Sequence, residues 1–364
     1  MSTWRICSVF SAVCLSACVG GGDGATASAA AGPRATFDPT GFLAGDVSSQ
    51  ASAVSADGSV VVGNSQSVSG KAQAFRWTRL DAMKGLGLLA SGSFSKAHAV
   101  SADGSIVVGE GDSQAAASTV FRWNQVNGMV ALKALANSTL CVGAGVSGDG
   151  NVVIGTCLTT GSTAFRWTEN SGMMALTQFG GGSNRSSSAL AISGDATAVV
   201  GAGHPVLTGA VVWNLAGEAI LLGALPGDVS AAATSVSRDG GVVTGFSTDA
   251  NSHQRVFRWV PGYGMSILGT GAQVFSDLVP SAVSGDGKVI VGWGNSADAE
   301  HAWIWDEVYG MRLVKDLLRT DYQTEIAGWA LSRATGISDD GRTVVGFGIN
   351  PTGHTEGWVL KFQK

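Results

Sequence analysis

The chain has 364 residues with a formal net charge of −5; 53 are glycine, and only 13% are charged and 7% aromatic. This composition suits many short strands joined by tight turns and argues against a coiled coil or a disordered chain. It also argues against nucleic-acid binding, because phosphate contacts need clustered lysines and arginines and the sequence shows no basic stripe.

The N-terminal segment predicts export. A short apolar stretch ends in the letters LSAC, whose cysteine is Cys18, and this resembles the lipobox of bacterial lipoproteins. We expect residues 1–17 to be a signal peptide, Cys18 to carry the lipid and residues 18–34 to be a flexible tether. The protein would then lie in the bacterial cell envelope, as an outer-membrane lipoprotein or outside the cell. The alternative is an ordinary secretory signal cleaved after Ala29.

Two cysteines lie beyond this segment, Cys141 and Cys157, each eight residues from Asp149. If a hairpin turns at Asp149, the two face each other across the ladder, and an oxidising compartment would allow a disulfide. The alternative is a pair of buried free thiols. No Cys/His spacing in the sequence indicates zinc, and we expect no metal and no cofactor.

A pattern of the form S-x-D-G-x-V-V-V-G occurs seven times, with steps of 46, 46, 46, 44, 47 and 54 residues between the first serines. A fixed period in this range indicates a repeat architecture. The seven copies begin at Ser55, Ser101, Ser147, Ser193, Ser237, Ser284 and Ser338.

The Asp-Gly pair in each copy predicts a tight hairpin turn. Glycine accepts a positive φ, and the aspartate side chain can accept hydrogen bonds from the turn amides. The seven aspartates are therefore interpreted as turn residues rather than metal ligands. The fourth copy has Ala196 in the glycine place, so its turn should differ or be strained.

Each of the first six repeats holds four extended segments, and both faces of the valine segment are apolar. Stacking four-stranded antiparallel sheets around an axis buries both faces, so we predict an all-β, seven-bladed β-propeller over residues 35–364. The last repeat lacks a fourth segment. We expect residues 36–46 to supply it and close the ring, with Phe42 and Leu43 buried against the strand that ends at Leu360.

The pattern of the S-x-D-G turn, then A-F-x-W, then G-M, resembles the bacterial HAF-type extracellular repeats over roughly residues 40–362. The resemblance implies an exported protein and supplies no catalytic residues. We find no metalloprotease, serine-hydrolase, P-loop or EF-hand motif in the sequence, so we do not expect an enzyme.

Two features break the symmetry of the repeats. The position after the valine segment is aromatic in the last three repeats, at Phe246, Trp293 and Phe347, and the longest step inserts residues around Tyr322 and Trp329. We hypothesise that these five side chains form one ligand-binding patch, with interblade contacts or a loop lid as the alternative.

These observations predict a non-catalytic, monomeric binding or scaffold propeller that recognises a glycan or a protein partner. Two alternatives stay open, a propeller-based carbohydrate-active hydrolase or lyase and a purely structural envelope protein. A pocket with converging carboxylates or a His–carboxylate pair would favour the enzyme, and an open aromatic and polar face would favour binding.

Overall fold

The computed structural model describes residues 34–114, 116–177, 186–204, 209–269, 275, 277–297 and 299–363. Cys18, the expected signal peptide and residues 18–33 of the expected tether lie outside these residues. Within them the chain forms 28 strands in seven four-stranded antiparallel sheets, with one short helix. The prediction of an all-β, seven-bladed propeller is confirmed. No helix in this part of the chain is long and apolar enough to cross a bilayer.

Each blade runs from an inner strand next to the central channel to an outer strand. The inner strands are β2 (Asp46–Val54), β6 (Ser95–Val100), β10 (Leu140–Val146), β14 (Ser186–Ile192), β18 (Ser230–Val236), β22 (Asp277–Val283) and β26 (Ala330–Ile337). The second strands, which carry the valines, are β3 (Val60–Ser67), β7 (Ile106–Ser113), β11 (Val152–Leu158), β15 (Val199–His204), β19 (Val243–Thr248), β23 (Val289–Asn295) and β27 (Thr343–Ile349).

The third strands carry the aromatic signature and are β4 (Ala72–Thr78), β8 (Ala116–Asn124), β12 (Ser162–Thr168), β16 (Gly209–Trp213), β20 (Gln254–Val260), β24 (Glu300–Asp306) and β28 (Thr355–Gln363). The outer strands are β5 (Ala82–Gly85), β9 (Gly128–Ala131), β13 (Gly172–Ala175), β17 (Ala219–Gly223), β21 (Gly264–Ile267), β25 (Gly310–Leu313) and, in blade seven, β1 (Arg34–Pro39). Helix α1 (Val314–Thr320) follows β25.

The valine segment is buried on both sides because its side chains alternate between two neighbouring blades. In blade one, Val60 and Val62 belong to the hydrophobic cluster shared with blade two, whereas Val61 belongs to the cluster shared with blade seven. Seven such clusters fill the seven seams between blades. The core of the molecule therefore lies between the sheets, as a strand of period two with two buried faces requires.

Each valine segment ends in a glycine because the backbone of the neighbouring inner strand approaches this position closely. Every inner strand has a bulge, and in blade one the carbonyl oxygen of Gln50 lies only 1.9 Å from where a β-carbon on Gly63 would sit. In all seven blades that separation is between 1.9 and 2.2 Å. Any side chain at this position would displace the bulged inner strand.

The S-x-D-G turns are held by one repeated set of hydrogen bonds. In blade three, Ser147 Oγ donates to Asp149 Oδ1 at 2.5 Å, and it accepts from the backbone N–H of Val152 at 3.0 Å. The Ser147 hydroxyl and the backbone N–H of Asn151 hold the pKa of the Asp149 carboxyl below its usual value. The aspartates are turn residues, as predicted, and among the described residues no group of His, Cys, Asp and Glu is placed to hold a metal ion.

Adjacent turns also bond to each other and close the ring. The residue after each serine, or in blade four Asp195, donates its backbone N–H to a carbonyl in the next turn, and blade seven donates back to blade one. The seven N···O distances lie between 2.9 and 3.3 Å. The donors are Ala56, Ala102, Gly148, Asp195, Arg238, Gly285 and Asp339.

The N-terminal strand completes blade seven, but over a different stretch from the one predicted. Strand β1 pairs with β28, and Phe37, not Phe42, lies opposite Leu360. The backbone of Leu43 already bonds to Ser65 of blade one. The expectation for Phe42 and Leu43 was wrong because the outer strand precedes this segment instead of containing it.

Cys141 and Cys157 occupy directly opposed positions on β10 and β11, and a disulfide joins them. All seven sheets and seams lie in one compact unit, Pro33–Lys364. A protein beginning at residue 33 or 34 therefore contains every strand pair of the propeller.

Deleting residues 34–39 should lower the melting temperature by roughly 10 °C or more. The deletion leaves the outer edge of β28 unpaired, although β28 still pairs with β27, and it uncovers the seam that Phe37 joins. Deleting residues 26–31 instead is the matched control and should leave melting unchanged. Equal melting of the two proteins would contradict ring closure by β1.

Replacing Ala196 with glycine should raise the free energy of unfolding by about 1 kcal/mol, because Ala196 has a φ of 62° in the same turn that glycine forms elsewhere. The converse change, Gly150→Ala in blade three, should destabilise the protein, since the new β-carbon would lie 2.5 Å from Ile106. Chemical denaturation measures both, and a stabilised Gly150→Ala protein would refute this account of the turn.

Candidate functional site

The two ends of the propeller differ in chemistry. We call the end with the S-x-D-G turns the turn face and the opposite end the loop face. Near the turn face the channel is lined by a collar of β-branched side chains: Val54, Val100, Val146, Ile192, Val236, Val283 and Ile337. An ion pair between Arg238 and Asp339 adds charge to this apolar end.

Towards the loop face, one pair of facing positions varies from blade to blade. The second-strand members are Asn64, Glu110, Thr156, Ala202, Phe246, Trp293 and Phe347, and their inner-strand partners are Gln50, Lys96, Val142, Ser188, Ala232, Val279 and Arg333. Side chains at these positions face the seam between blades. Only blades two and seven place a basic residue on the inner strand here.

In blade seven, Arg333 organises the first of two polar clusters. Its guanidinium carbon lies 3.9 Å from the ring centre of Trp293 in blade six and 5.8 Å from that of Phe347. Its Nε donates to Glu300 Oε2 at 2.7 Å, and its Nη2 donates to Glu300 Oε1. We call these four residues the blade-seven cluster. Two-point pairing with the carboxylate fixes the plane of the guanidinium against the indole.

The blade-seven cluster is only partly covered. The side chains of Arg333 and Glu300 are each 33% exposed, and Trp293 and Phe347 are half-buried. Glu300 opens β24, immediately after the loop that joins the second and third strands of blade six. The cluster therefore reaches solvent at the loop face, across the seam between blades six and seven.

The five residues hypothesised from the sequence do not form one contact network. The structure joins Trp293 and Phe347 through Arg333. Phe246 occupies the equivalent position in blade five, half-buried, and among the described residues the ring and cation–π contacts do not extend to it.

Tyr322 and Trp329 lie in the insertion that follows α1, and both pack against blade seven. The ring of Tyr322 lies 4.8 Å from that of Phe362, and Trp329 meets the ring of Phe37 edge-on at 5.0 Å. Both belong to the periphery of the cluster that fills the seam between blades six and seven. Through these contacts Tyr322 and Trp329 belong to the packing of this seam and not to the blade-seven cluster.

Blade two carries the second polar cluster, formed by Lys96, His98, Glu110 and Ser118. Glu110 Oε1 lies 3.7 Å from His98 Nε2 and 3.9 Å from Lys96 Nζ, and Ser118 Oγ donates to Glu110 Oε2 at 3.1 Å. The interaction with His98 is the main cause that holds the pKa of Glu110 below its usual value, against the opposing effect of burial. His98 and Glu110 thus form a His–carboxylate pair within this blade-two cluster. His98 also lines the channel.

Sequence reasoning missed Arg333, Glu300 and the blade-two cluster. His98 stands alone in the sequence, and its partner Glu110 is twelve residues away on another strand. An alignment of the inner strands would have singled out Lys96 and Arg333, since the other five repeats have an uncharged residue there. Nothing in the sequence shows that Arg333 reaches across a seam to blade six.

The chain matches no protein-family model and no curated protein. Several solved structures resemble its fold. An oligogalacturonate lyase from Vibrio parahaemolyticus is 10% identical and has a TM-score of 0.58, with 91% of this chain and 98% of the lyase covered. TolB from Acinetobacter baumannii is 14% identical and has a TM-score of 0.49, with 70% of this chain and 63% of TolB covered.

A prolyl endopeptidase structure is 12% identical and has a TM-score of 0.57, with 87% of this chain but only 50% of the endopeptidase covered. The chain thus spans less than two thirds of the length of both TolB and the endopeptidase. At these identities the likeness concerns the propeller fold alone.

Replacing Glu110 with glutamine should destabilise the protein by about 1 kcal/mol at neutral pH, because a charged hydrogen-bond acceptor is lost. The folded pKa lies below the unfolded value, so this stabilisation is complete above pH 4.5 and is lost as the pH falls through the folded pKa. Denaturation of both proteins from pH 7 to pH 3 should show the two stabilities converging. Glu169→Gln, at an exposed position, is the control, and a difference that grows on acidification would contradict the ion-pair assignment.

Proposed function

We propose that this protein is an exported binding propeller of the HAF-repeat kind, attached to the outer membrane by a lipid on Cys18, that recognises a glycan through the blade-seven cluster. The observation that carries the proposal is the Trp293–Arg333–Glu300 arrangement at the loop face. It occurs at one seam of a nearly symmetric ring, and the insertion after α1 reinforces the same seam.

The chemistry of the blade-seven cluster suits a sugar. Aromatic rings offer large apolar contact to the C–H face of a pyranose at little entropic cost. Glu300 and Arg333 offer an acceptor and donors to hydroxyl groups beside those rings, and their mutual pairing keeps both side chains in place before a ligand arrives. A cluster with one cation and one carboxylate carries no net charge, which favours a neutral or weakly acidic glycan over a highly charged polymer.

The same surface features occur at protein interfaces, where tryptophan and arginine are enriched among the residues that dominate affinity. A protein partner is therefore the outcome to be separated from a glycan by experiment. A screen of the soluble domain, residues 33–364, against a glycan array and against envelope proteins makes this distinction directly.

For a glycan found in such a screen, Trp293→Ala and Arg333→Ala should each weaken binding at least roughly tenfold, the loss expected of a central contact. Phe246→Ala, the equivalent aromatic position in blade five, is the matched control and should bind normally. Calorimetric titration gives the affinities, and melting curves show that each protein is folded.

Because Arg333→Ala leaves Glu300 without its partner, Arg333→Lys provides a second variant that keeps the charge but loses two-point pairing. Normal glycan affinity in Trp293→Ala and in both Arg333 variants, with all three folded, would refute this site.

A second candidate function is carbohydrate cleavage, favoured by the His98–Glu110 pair beside the channel. An imidazole held next to a carboxylate is a common form of general base. The test is incubation of the domain with acidic and neutral oligosaccharides, oligogalacturonate included, with mass spectrometry of the products. Turnover that is lost in His98→Ala and kept in Trp293→Ala would replace binding by catalysis.

A further inference from the structure

The hairpins between the third and outer strands carry exposed apolar side chains at their tips. Turns normally favour glycine, asparagine or aspartate, yet five of the seven blades have a large apolar residue here that is between 60% and 98% exposed. These tip residues are Leu80 in blade one, Val126 in blade two, Leu215 in blade four, Tyr263 in blade five, and Val308 and Tyr309 in blade six. We call them the apolar rim.

The fold does not require these side chains. In blade two the backbone of the hairpin is fixed by Asn124, whose Oδ1 accepts from the N–H groups of Val126 and Asn127. In blade six Asp306 Oδ1 does the same for the N–H groups of Val308 and Tyr309. The ring of Tyr309 lies 4.4 Å from the guanidinium carbon of Arg312, and the other tip side chains project into solvent. Single exposed apolar residues are ordinary, but here the same repeat position carries one in five of the seven blades, all on one face.

All the tips lie at the turn face. Val60, which follows the S-x-D-G turn of blade one, pairs with Thr78, which precedes the tip at Leu80. The same antiparallel pairing in the other blades places each tip beside its turn. The rim and the blade-seven cluster are therefore at opposite ends of the propeller.

The first strand begins at this same face. Arg34, the first residue of β1, pairs with Gln363 at the end of β28, and Lys361 pairs with Thr343 next to the turn of blade seven. Residues 18–33, between the expected lipid on Cys18 and β1, span at most roughly 55 Å when fully extended. A lipid on Cys18 therefore keeps the bilayer within that distance of the turn face.

Basic side chains lie together beside this point, on a face that also carries the exposed aspartates of the seven S-x-D-G turns. Blade seven has no apolar tip, because β1 begins there, and in its place Arg34, Arg342 and Lys361 are all exposed. Cations near the membrane surface are attracted to anionic phospholipid headgroups. Tyr263 and Tyr309 add the residue type that is enriched at the level of the headgroups.

We propose that the apolar rim is a membrane-contacting surface, which docks on a phospholipid bilayer and directs the loop face with its blade-seven cluster away from the membrane. The proposal rests on the lipid attachment at Cys18 proposed above. Each tip alone would bury little apolar area in the bilayer. The lipid anchor holds all five tips close to the membrane, so their contact with it takes place at the high effective concentration of an intramolecular event. The occupant is thus a lipid surface and not a second copy of this chain.

The experiment uses the full-length lipidated protein in vesicles of phosphatidylethanolamine and phosphatidylglycerol. A single cysteine replaces Asn170, the exposed polar tip of blade three, or Ser69, an exposed loop-face residue of blade one, and carries an environment-sensitive fluorophore. We expect lipid-attached nitroxides to quench the label at position 170 at least threefold more than the label at position 69. Equal quenching, or stronger quenching at position 69, would overturn the proposal.

A second comparison separates the rim from the anchor. The combined change Leu80→Ser, Val126→Ser, Tyr263→Ser and Val308→Ser removes four tips whose exposure makes them dispensable for folding, and it should abolish the excess quenching at position 170. The matched control is Val68→Ser, which changes an 82% exposed apolar residue at the loop face and should leave quenching unchanged.

Failures of the two proposals are distinguishable. If intact-mass analysis shows that Cys18 carries no lipid, an N-terminal hexahistidine tag on nickel-chelating vesicles holds the propeller by the same end, and the same quenching ratio is expected. Concentration-dependent dimers that the four-tip variant loses, with no quenching on vesicles, would show that a second copy covers the rim. Normal glycan affinity in the Trp293→Ala and Arg333 variants, with quenching intact, would refute only the site at the loop face.

Discussion

The fold depends on one constraint, that the second strand of every blade must be covered on both sides. Its valines alternate between two seams, so an isolated blade would expose apolar side chains on both faces of this strand. No number of blades in a row satisfies this condition at both ends, whereas a ring does. The bulged inner strand and the glycine beneath it follow from the same need, because adjacent strands must approach closely where seven sheets converge on one axis.

Ring closure uses two separate sets of backbone hydrogen bonds. Strand β1 completes blade seven at the outside, and the seven turn-to-turn bonds complete the ring at the inside. The seam between blades six and seven receives additional apolar side chains from α1 and the insertion, including Tyr322 and Trp329. The seam that bears the blade-seven cluster is thus also the most heavily reinforced, which holds Trp293 and Arg333 in a fixed relation across two blades.

The side chains with distinctive chemistry lie where the repeats depart from symmetry. The blade-two cluster places a histidine beside the channel with a carboxylate next to it. The blade-seven cluster combines two aromatic rings with an Arg–Glu pair at the loop face. The apolar rim belongs to the opposite face, where the chain enters the propeller. The lipid anchor and the recognition site proposed above would lie at opposite faces, so that the site is presented to ligands outside the bilayer.

The sequence alone determined the repeat, the number of blades, the Ser–Asp turns and the pairing of Cys141 with Cys157, because these follow from local periodicity and from registers that a hairpin fixes. It placed the closing strand a few residues late, since several small and apolar residues precede the first repeat and only strand pairing selects Phe37 over Phe42. It could not find Arg333 with Glu300, nor His98 with Glu110 as neighbours. Those contacts cross a seam or join two strands, and side-chain reach across such a boundary depends on how the sheets twist and stack, which only the tertiary structure decides.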